Sequence, residues 1–228
     1  CPGCQRLYVM ENGIPRFVDT DAYAGSFSFE WLRHRRTQLD HGERNESERT
    51  FRAKTGLAPE DVKGKLVLDV GCGMGRFAEV VGRWGGQVVA VDISHAVEAA
   101  RENLADRGNA MVLQADLFRL PFPEASFDVI YSIGVLHHTP DCEQAFRTLL
   151  RYLAPGGLIA IWLYAQDHGL WARCSDLYRR YTVRMSPRLL HSLCYAAVPL
   201  YHLFKIHLIG RLLWTVVPMS VHPDAQWR

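Results

Sequence analysis

The sequence predicts an α/β fold: a doubly wound, mainly parallel sheet followed by a helical C-terminal extension. Three observations carry that expectation. The apolar run Leu66-Val-Leu68 leads into Asp69 and then into glycines at 71, 73 and 75. Further apolar runs recur at 88–91, 111–115, 127–132 and 158–164, with helical patterns between them. Short runs of this kind suit strands buried on both faces. Their alternation with helices implies parallel strands joined by right-handed crossovers.

The elements follow in order. Residues 1–18 open with Cys1-Pro-Gly-Cys4, which has the spacing of a metal knuckle. A structural zinc site takes four ligands, usually two such pairs, so the chain as given is expected to hold no metal. Residues 19–61 form a second segment, with Tyr23, Phe27, Phe29 and Trp31 ahead of Arg33-His-Arg-Arg36. Aromatics beside a basic cluster could bind nucleic acid; the preferred reading is a lid packed over a ligand cleft. Residues 46–57 read as a polar helix anchored by Phe51 and ended at Gly56.

The core domain is expected over residues 62–164. A helix from Arg76 to Arg83 sets Phe77, Val80 and Val81 on one side. Ser94 is expected to cap the next helix, whose apolar stripe is Val97, Ala100 and Leu104. Thr139-Pro-Asp141 is expected to open a later helix, with Thr139 as its cap and Phe146, Leu149, Leu150 and Leu153 as its buried face. The last strand is entered through Ala154-Pro-Gly-Gly157. Residues 165–228 are rich in Leu, Tyr, Trp and Arg and read as two or three amphipathic helices. Prolines 187 and 199 are expected to break them into pieces.

Glycines at alternate positions let a backbone turn sharply and approach a ligand without a Cβ between. In doubly wound sheets ligands bind at the carboxyl ends of the strands, where Asp69, Asp92, Asp116 and Ser132 all fall. A carboxylate such as Asp92 there can accept two hydrogen bonds from ribose hydroxyls. Taken alone, Gly73-Met-Gly-Arg-Phe-Ala78 also fits the G-x-G-x-x-A pattern of dinucleotide sites.

The wider set decides between them. Val67-Leu-Asp-Val-Gly-Cys-Gly-Met-Gly-Arg76, Val91-Asp-Ile-Ser94, Gln114-Ala-Asp-Leu117, Phe127-Asp-Val-Ile-Tyr-Ser132, Leu136-His-His138 and Leu153-Ala-Pro-Gly-Gly157 run in one order. Together they resemble the class I S-adenosylmethionine (SAM)-dependent methyltransferases, in particular the type 11, UbiE-like small-molecule group. The resemblance implies a Rossmann-like domain with SAM as cofactor. By it, Asp69 and Gly71, Gly73 and Gly75 hold the methionine end. Asp92 takes the ribose, Asp116 and Leu117 meet the adenine, and Ile93 and Ser132 complete the cofactor-binding set. Residues 1–18 resemble the second half of a zinc-ribbon module that precedes some methyltransferases. The family normally adds two more strands, and residues 165–228 show no convincing pair, so a truncated cap is expected.

For catalysis the candidates are His137 and His138. A neutral histidine ahead of a helix N-terminus can accept the proton of a hydroxyl acceptor. The alternative is a pair that shapes the pocket and bonds to backbone. Ile133-Gly-Val-Leu136 stands where amino methyltransferases acting on DNA carry Asp/Asn-Pro-Pro-Tyr, which argues against a nucleic-acid base as acceptor.

Composition sets the outer bounds. The 228 residues are 48% hydrophobic with a formal net charge of +2, the balance of an ordinary globular chain rather than of a disordered one. From residue 165 onward eight Arg or Lys face three Asp, a local +5 that leaves −3 for residues 1–164. No apolar run reaches the length of about 18 residues that a bilayer span needs. Six scattered cysteines do not form a disulfide framework, so reduced thiols and a cytoplasmic protein are expected. The basic amphipathic tail suits a cap over the acceptor, or a peripheral membrane contact. The expected function is methyl transfer from SAM to a small-molecule, lipid-linked or sugar-linked acceptor. The alternatives are an RNA methyltransferase and a SAM-binding regulatory domain without turnover.

Overall fold

The computed structural model describes residues 5, 7–18, 25–41, 45–164 and 179–204. The chain divides into two compact units, Cys1–Tyr164 and Ala165–Arg228.

The first unit opens with a hairpin of β1 (Met10–Glu11) and β2 (Ile14–Pro15). It turns at Asn12-Gly13, whose φ values of 54° and 75° are those of a tight turn matched to strand twist. Helices α1 (Gly25–Arg33), α2 (Glu46–Thr55) and the short α3 (Pro59–Val62) follow. Then strands and helices alternate: β3 (Leu66–Val70), α4 (Arg76–Arg83), β4 (Gln87–Asp92), α5 (Val97–Asn103), β5 (Ala110–Gln114), β6 (Phe127–Ile133), α6 (Cys142–Tyr152) and β7 (Leu153–Trp162). The five long strands pair in the order β5-β4-β3-β6-β7, and every pairing is parallel. This is the doubly wound, Rossmann-like sheet that the strand pattern predicts.

Strand alternation splits the core into two layers, because successive side chains point to opposite faces. On one face Val67, Val88, Ala90, Val129 and Tyr131 meet Phe51 of α2, Val81 of α4, and Val97 and Ala100 of α5. On the other, Leu68, Val70, Val89, Val91 and Ile130 meet Ala145, Leu149 and Tyr152 of α6. Phe51 is fully buried and sets its ring edge-on to Tyr131, with centroids 5.0 Å apart. The hairpin docks at the outer edge of β5. There Arg16 bridges Gln114, and the Phe17 N–H donates to the Gln114 carbonyl at 2.8 Å.

Several local expectations are corrected. Asp141, not Thr139, caps α6: its carboxylate accepts the Gln144 N–H at 2.8 Å. Thr139 instead closes the preceding turn, its hydroxyl donating to the Leu136 carbonyl at 2.6 Å. The buried face of α6 is Ala145, Leu149 and Tyr152, while Phe146 and Leu150 are exposed. The Ala154-Pro-Gly-Gly157 stretch lies inside β7, where the register on β6 shifts between Phe127 and Val129. Ser94 is not the cap residue of α5, which starts after Ala96; its hydroxyl donates to Asp92 at 2.7 Å and accepts the Ala96 N–H at 3.2 Å in the turn before the helix.

In the second unit α7 spans Pro187–Phe204. Pro187 takes its first position, where a missing N–H is harmless. The helix continues through Pro199 rather than breaking there, because one lost backbone bond leaves those on either side intact. The residues expected to be amphipathic beyond 204 lie outside the described ones, as do Cys1, Cys4 and Tyr23. Among the described residues no helix is long and apolar enough to cross a membrane, and no three His, Cys, Asp or Glu side chains group as metal ligands do.

Candidate cofactor and acceptor site

The site is built where β3, β4 and β6 end side by side. Asp69 is the fourth residue of β3 and is 3% exposed. The chain then turns through Gly71, Gly73 and Gly75, with φ of 77°, 53° and 84°. Only glycine adopts this left-handed region without strain. At Gly71 the freedom is also steric, since a Cβ there would overlap the Val135 side chain.

Asp92 locks this loop from the neighbouring strand. One oxygen accepts the Gly73 N–H at 2.8 Å. The other accepts the Ser94 N–H at 2.8 Å and the Ser94 hydroxyl at 2.7 Å. Burial raises the pKa of Asp92, and these donors act against it. Next to it, the Ile93 carbonyl accepts the side-chain amide of Gln114 at 2.8 Å. Gln114 in turn accepts from Arg16 Nη1 at 2.9 Å, and Arg16 also pairs with Glu98. The N-terminal hairpin is thereby tied to the Asp92-Ile93 corner.

Asp116 follows β5 and caps the short turn Leu117–Arg119, accepting the Phe118 N–H at 3.0 Å. Leu117 is buried in the core layer that contains α6. Ser132 is fully buried, its hydroxyl donating to the Val70 carbonyl at 2.9 Å. The structure therefore gathers Asp69, the glycine loop, Asp92 and Ile93 around one corner. It engages Ser132 in joining β6 to β3.

His137 and His138 lie in the turn Leu136–His138 after β6. The His137 ring stands 4.1 Å from His138 and 4.3 Å from Tyr164, centroid to centroid. Both its ring nitrogens are buried without a hydrogen-bond partner. Desolvation, and then the adjacent His138, lower its pKa, so the ring is neutral at pH 7. Tyr164 meets Trp162 edge-on at 5.1 Å, and Lys54 of α2 sits 3.7 Å from the Trp162 ring centroid.

Five residues contribute beyond the site residues named from the sequence. Tyr131 lies beside Asp69 in the register of β6 on β3. Trp31 lies on the glycine loop, its indole nitrogen 3.3 Å from where a Cβ of Gly73 would be. Val135 fills the space against Gly71. Trp162 and Tyr164 form an aromatic wall beside His137. Only Trp31 left a signal, its aromatic neighbourhood; the others depend on strand register. Further contacts hold α1 in place. The His95 N–H donates to the Ser28 hydroxyl at 3.0 Å, and Asn103 donates to the carbonyls of Arg35 and Met74 at 2.7 and 2.9 Å.

Residues 68–161 match the family model described as a methyltransferase domain. Among curated proteins, the chain is 36% identical over 124 residues to the ubiquinone/menaquinone biosynthesis C-methyltransferase UbiE of Ectopseudomonas mendocina, covering 50% of this chain and 48% of that one. It is 35% identical over 106 residues to the sterol 24-C-methyltransferase ERG6B of Gibberella zeae, covering 43% of this chain and 27% of that one. The chain thus spans about half, or less, of the curated relatives it matches. Two solved structures share the fold. One is the Haloferax volcanii complex of the Trm112 methyltransferase activator with a methyltransferase, with a TM-score of 0.52 at 18% identity, covering 70% of this chain and 66% of that one. The other is the cyclase SpnF, with a TM-score of 0.50 at 23% identity, covering 63% and 60%.

Proposed function

We propose that this chain binds SAM and transfers its methyl group to a carbon of a small-molecule acceptor, which lipid- or sugar-linked intermediates include. The observation that carries the reading is the corner at the ends of β3 and β4. There Asp69, three left-handed glycines and Asp92 converge, and Asp92 fastens the glycine loop through Gly73. The match to a methyltransferase domain over residues 68–161, and the similarity to two C-methyltransferases, support the same reading.

The residues present fit the cofactor. Asp69 keeps a buried oxygen without a partner, as a site for an ammonium group requires. The glycine loop offers backbone with no Cβ in the way. Asp92 retains acceptor capacity for ribose hydroxyls, since each carboxylate oxygen has two lone pairs. When bound, SAM supplies an electrophilic methyl group. The chain's part is to position that methyl group and to prepare the acceptor. Trp31 and α1 serve as a lid over the loop and exclude water. His137, neutral and with both nitrogens unpartnered, takes a proton from the acceptor, which raises the electron density of the carbon to be alkylated. His138 and Tyr164 pack against the ring with tilted planes and hold it in place. The second unit is basic in sequence, and a peripheral membrane contact through it would suit a lipid-linked acceptor.

The test is a labelled-SAM assay on cell extract, with mass spectrometry of the labelled product. A small molecule labelled on carbon supports the reading. SAM binding without any labelled product would overturn methyl transfer, and label in RNA would overturn the acceptor class.

A further inference from the structure

Arg16 follows β2, lies against the outer edge of β5 and is 8% exposed. Its guanidinium reaches in two directions. Nη1 donates to the side-chain carbonyl of Gln114 at 2.9 Å, and Nη2 pairs with the carboxylate of Glu98. Nε lies 3.8 Å from the exposed carboxylate of Glu11. Gln114 ends β5, is 3% exposed and passes the contact on, since its side-chain amide donates to the Ile93 carbonyl at 2.8 Å.

A guanidinium only donates, so it decides which end of the Gln114 amide faces it. The oxygen turns to Arg16, and the NH₂ is left for Ile93. Glu98 lies in the first turn of α5. Arg16 therefore grips both ends of the turn from Ile93 to Glu98, one through Gln114 and the other directly. Inside that turn stands Ser94, whose N–H and hydroxyl both donate to one oxygen of Asp92. The other oxygen of Asp92 holds the glycine loop through the Gly73 N–H.

Docking of the hairpin does not need this guanidinium. Ile14 is fully buried in one core layer, and Phe17 packs against the other. The Phe17 N–H already pairs with the backbone carbonyl of Gln114. A buried ion pair is costly to desolvate, and well-packed apolar residues in its place are often no less stable. An apolar side chain at position 16 could not, however, orient the Gln114 amide or hold Glu98.

We propose that Arg16 is a positioning residue for the cofactor: through Gln114 and Glu98 it holds the 93–98 turn so that Asp92 keeps its acceptor geometry, and the N-terminal hairpin thereby sets the affinity for SAM. This rests on the SAM-binding reading above. It adds a segment that lies outside residues 68–161, the part matched by the family model.

The experiment uses the whole isotope-labelled chain, with S-adenosylhomocysteine as the probe. Two variants are compared with the unmodified protein, well below their thermal midpoints. Arg16→Lys keeps the charge, but a compact ammonium lacks the fork that spans Gln114 and Glu98 together. Gln114→Glu keeps an acceptor for Arg16, so the hairpin stays docked, but it sets a carboxylate oxygen against the Ile93 carbonyl where a donor stood. Calorimetry is expected to show affinity about three- to tenfold weaker in each, the effect of one hydrogen bond lost. The amide resonance of Gly73, which reports the Asp92 contact, is expected to shift in both free variants. A residue that only anchors the hairpin would leave that resonance in place. Unchanged affinity in either folded variant would overturn the brace. Weakened affinity with the Gly73 resonance unmoved would overturn it too, because the effect would then travel by another route. If Arg16→Lys does not fold, Gln114→Glu carries the test alone; if neither folds, the network serves the fold and the proposal fails. Absence of binding by the unmodified chain would overturn the SAM reading itself.

Discussion

The carboxylate of Asp92 accepts the N–H of Gly73 at 2.8 Å, across the gap between two parallel strands. One side chain thus both closes the glycine loop and faces the proposed ribose position. Replacing Asp92 by Ala removes a charge-assisted contact to ligand and leaves the N–H groups of Gly73 and Ser94 without their acceptor. The expected loss of SAM affinity is about 1.5–3 kcal/mol. Calorimetry measures it, and thermal denaturation is expected to show a lowered midpoint as well. Unchanged affinity in a folded variant would remove Asp92 from the cofactor site.

His137 is expected to matter for turnover rather than for cofactor binding. His137→Ala should lower kcat by about a hundred- to ten-thousand-fold while leaving the SAM dissociation constant unchanged. The active form is the neutral ring. Because burial and His138 lower its pKa, activity is expected to rise with pH along a limb whose midpoint lies below the ordinary histidine value of about 6.5. That limb should vanish in the variant. A pH-rate profile identical in both proteins would leave His137 a wall of the pocket.

Gly71→Ala tests the close approach. The new Cβ would overlap Val135 at a backbone φ of 77°. Left-handed backbone on a non-glycine residue costs on the order of 1–3 kcal/mol. Urea denaturation is expected to show at least that loss, together with weakened SAM binding as the loop shifts. An unaltered denaturation midpoint would mean that the loop relaxes freely.

The second unit separates two routes for the acceptor. Flotation with vesicles of anionic lipid is expected to show no stable binding if the unit is a cap over a soluble acceptor. Binding that needs anionic lipid and disappears at high salt would instead mark a peripheral membrane surface.

Much of this was written in the chain itself. The five parallel strands, the helix Arg76–Arg83, the Phe51 anchor and its Gly56 stop, and the placing of Asp69, Asp92, Asp116 and Ser132 at strand ends follow from hydrophobic period and glycine chemistry. Those signals are local, because burial and left-handed turns constrain a residue within its own element. What only the tertiary structure decided depends on how elements lie against each other. A register of β6 on β3 brings Tyr131 beside Asp69. A helix crossing lays Trp31 on Gly73. An edge contact joins Arg16 to Gln114, 98 positions away in sequence, and Gln114 in turn braces Ile93. Even the α6 cap fell to Asp141 because the turn before it had already engaged Thr139. A sequence states which residues are able to pair; packing selects the pairs, since each strand and helix has several registers and only one fills both core layers without voids.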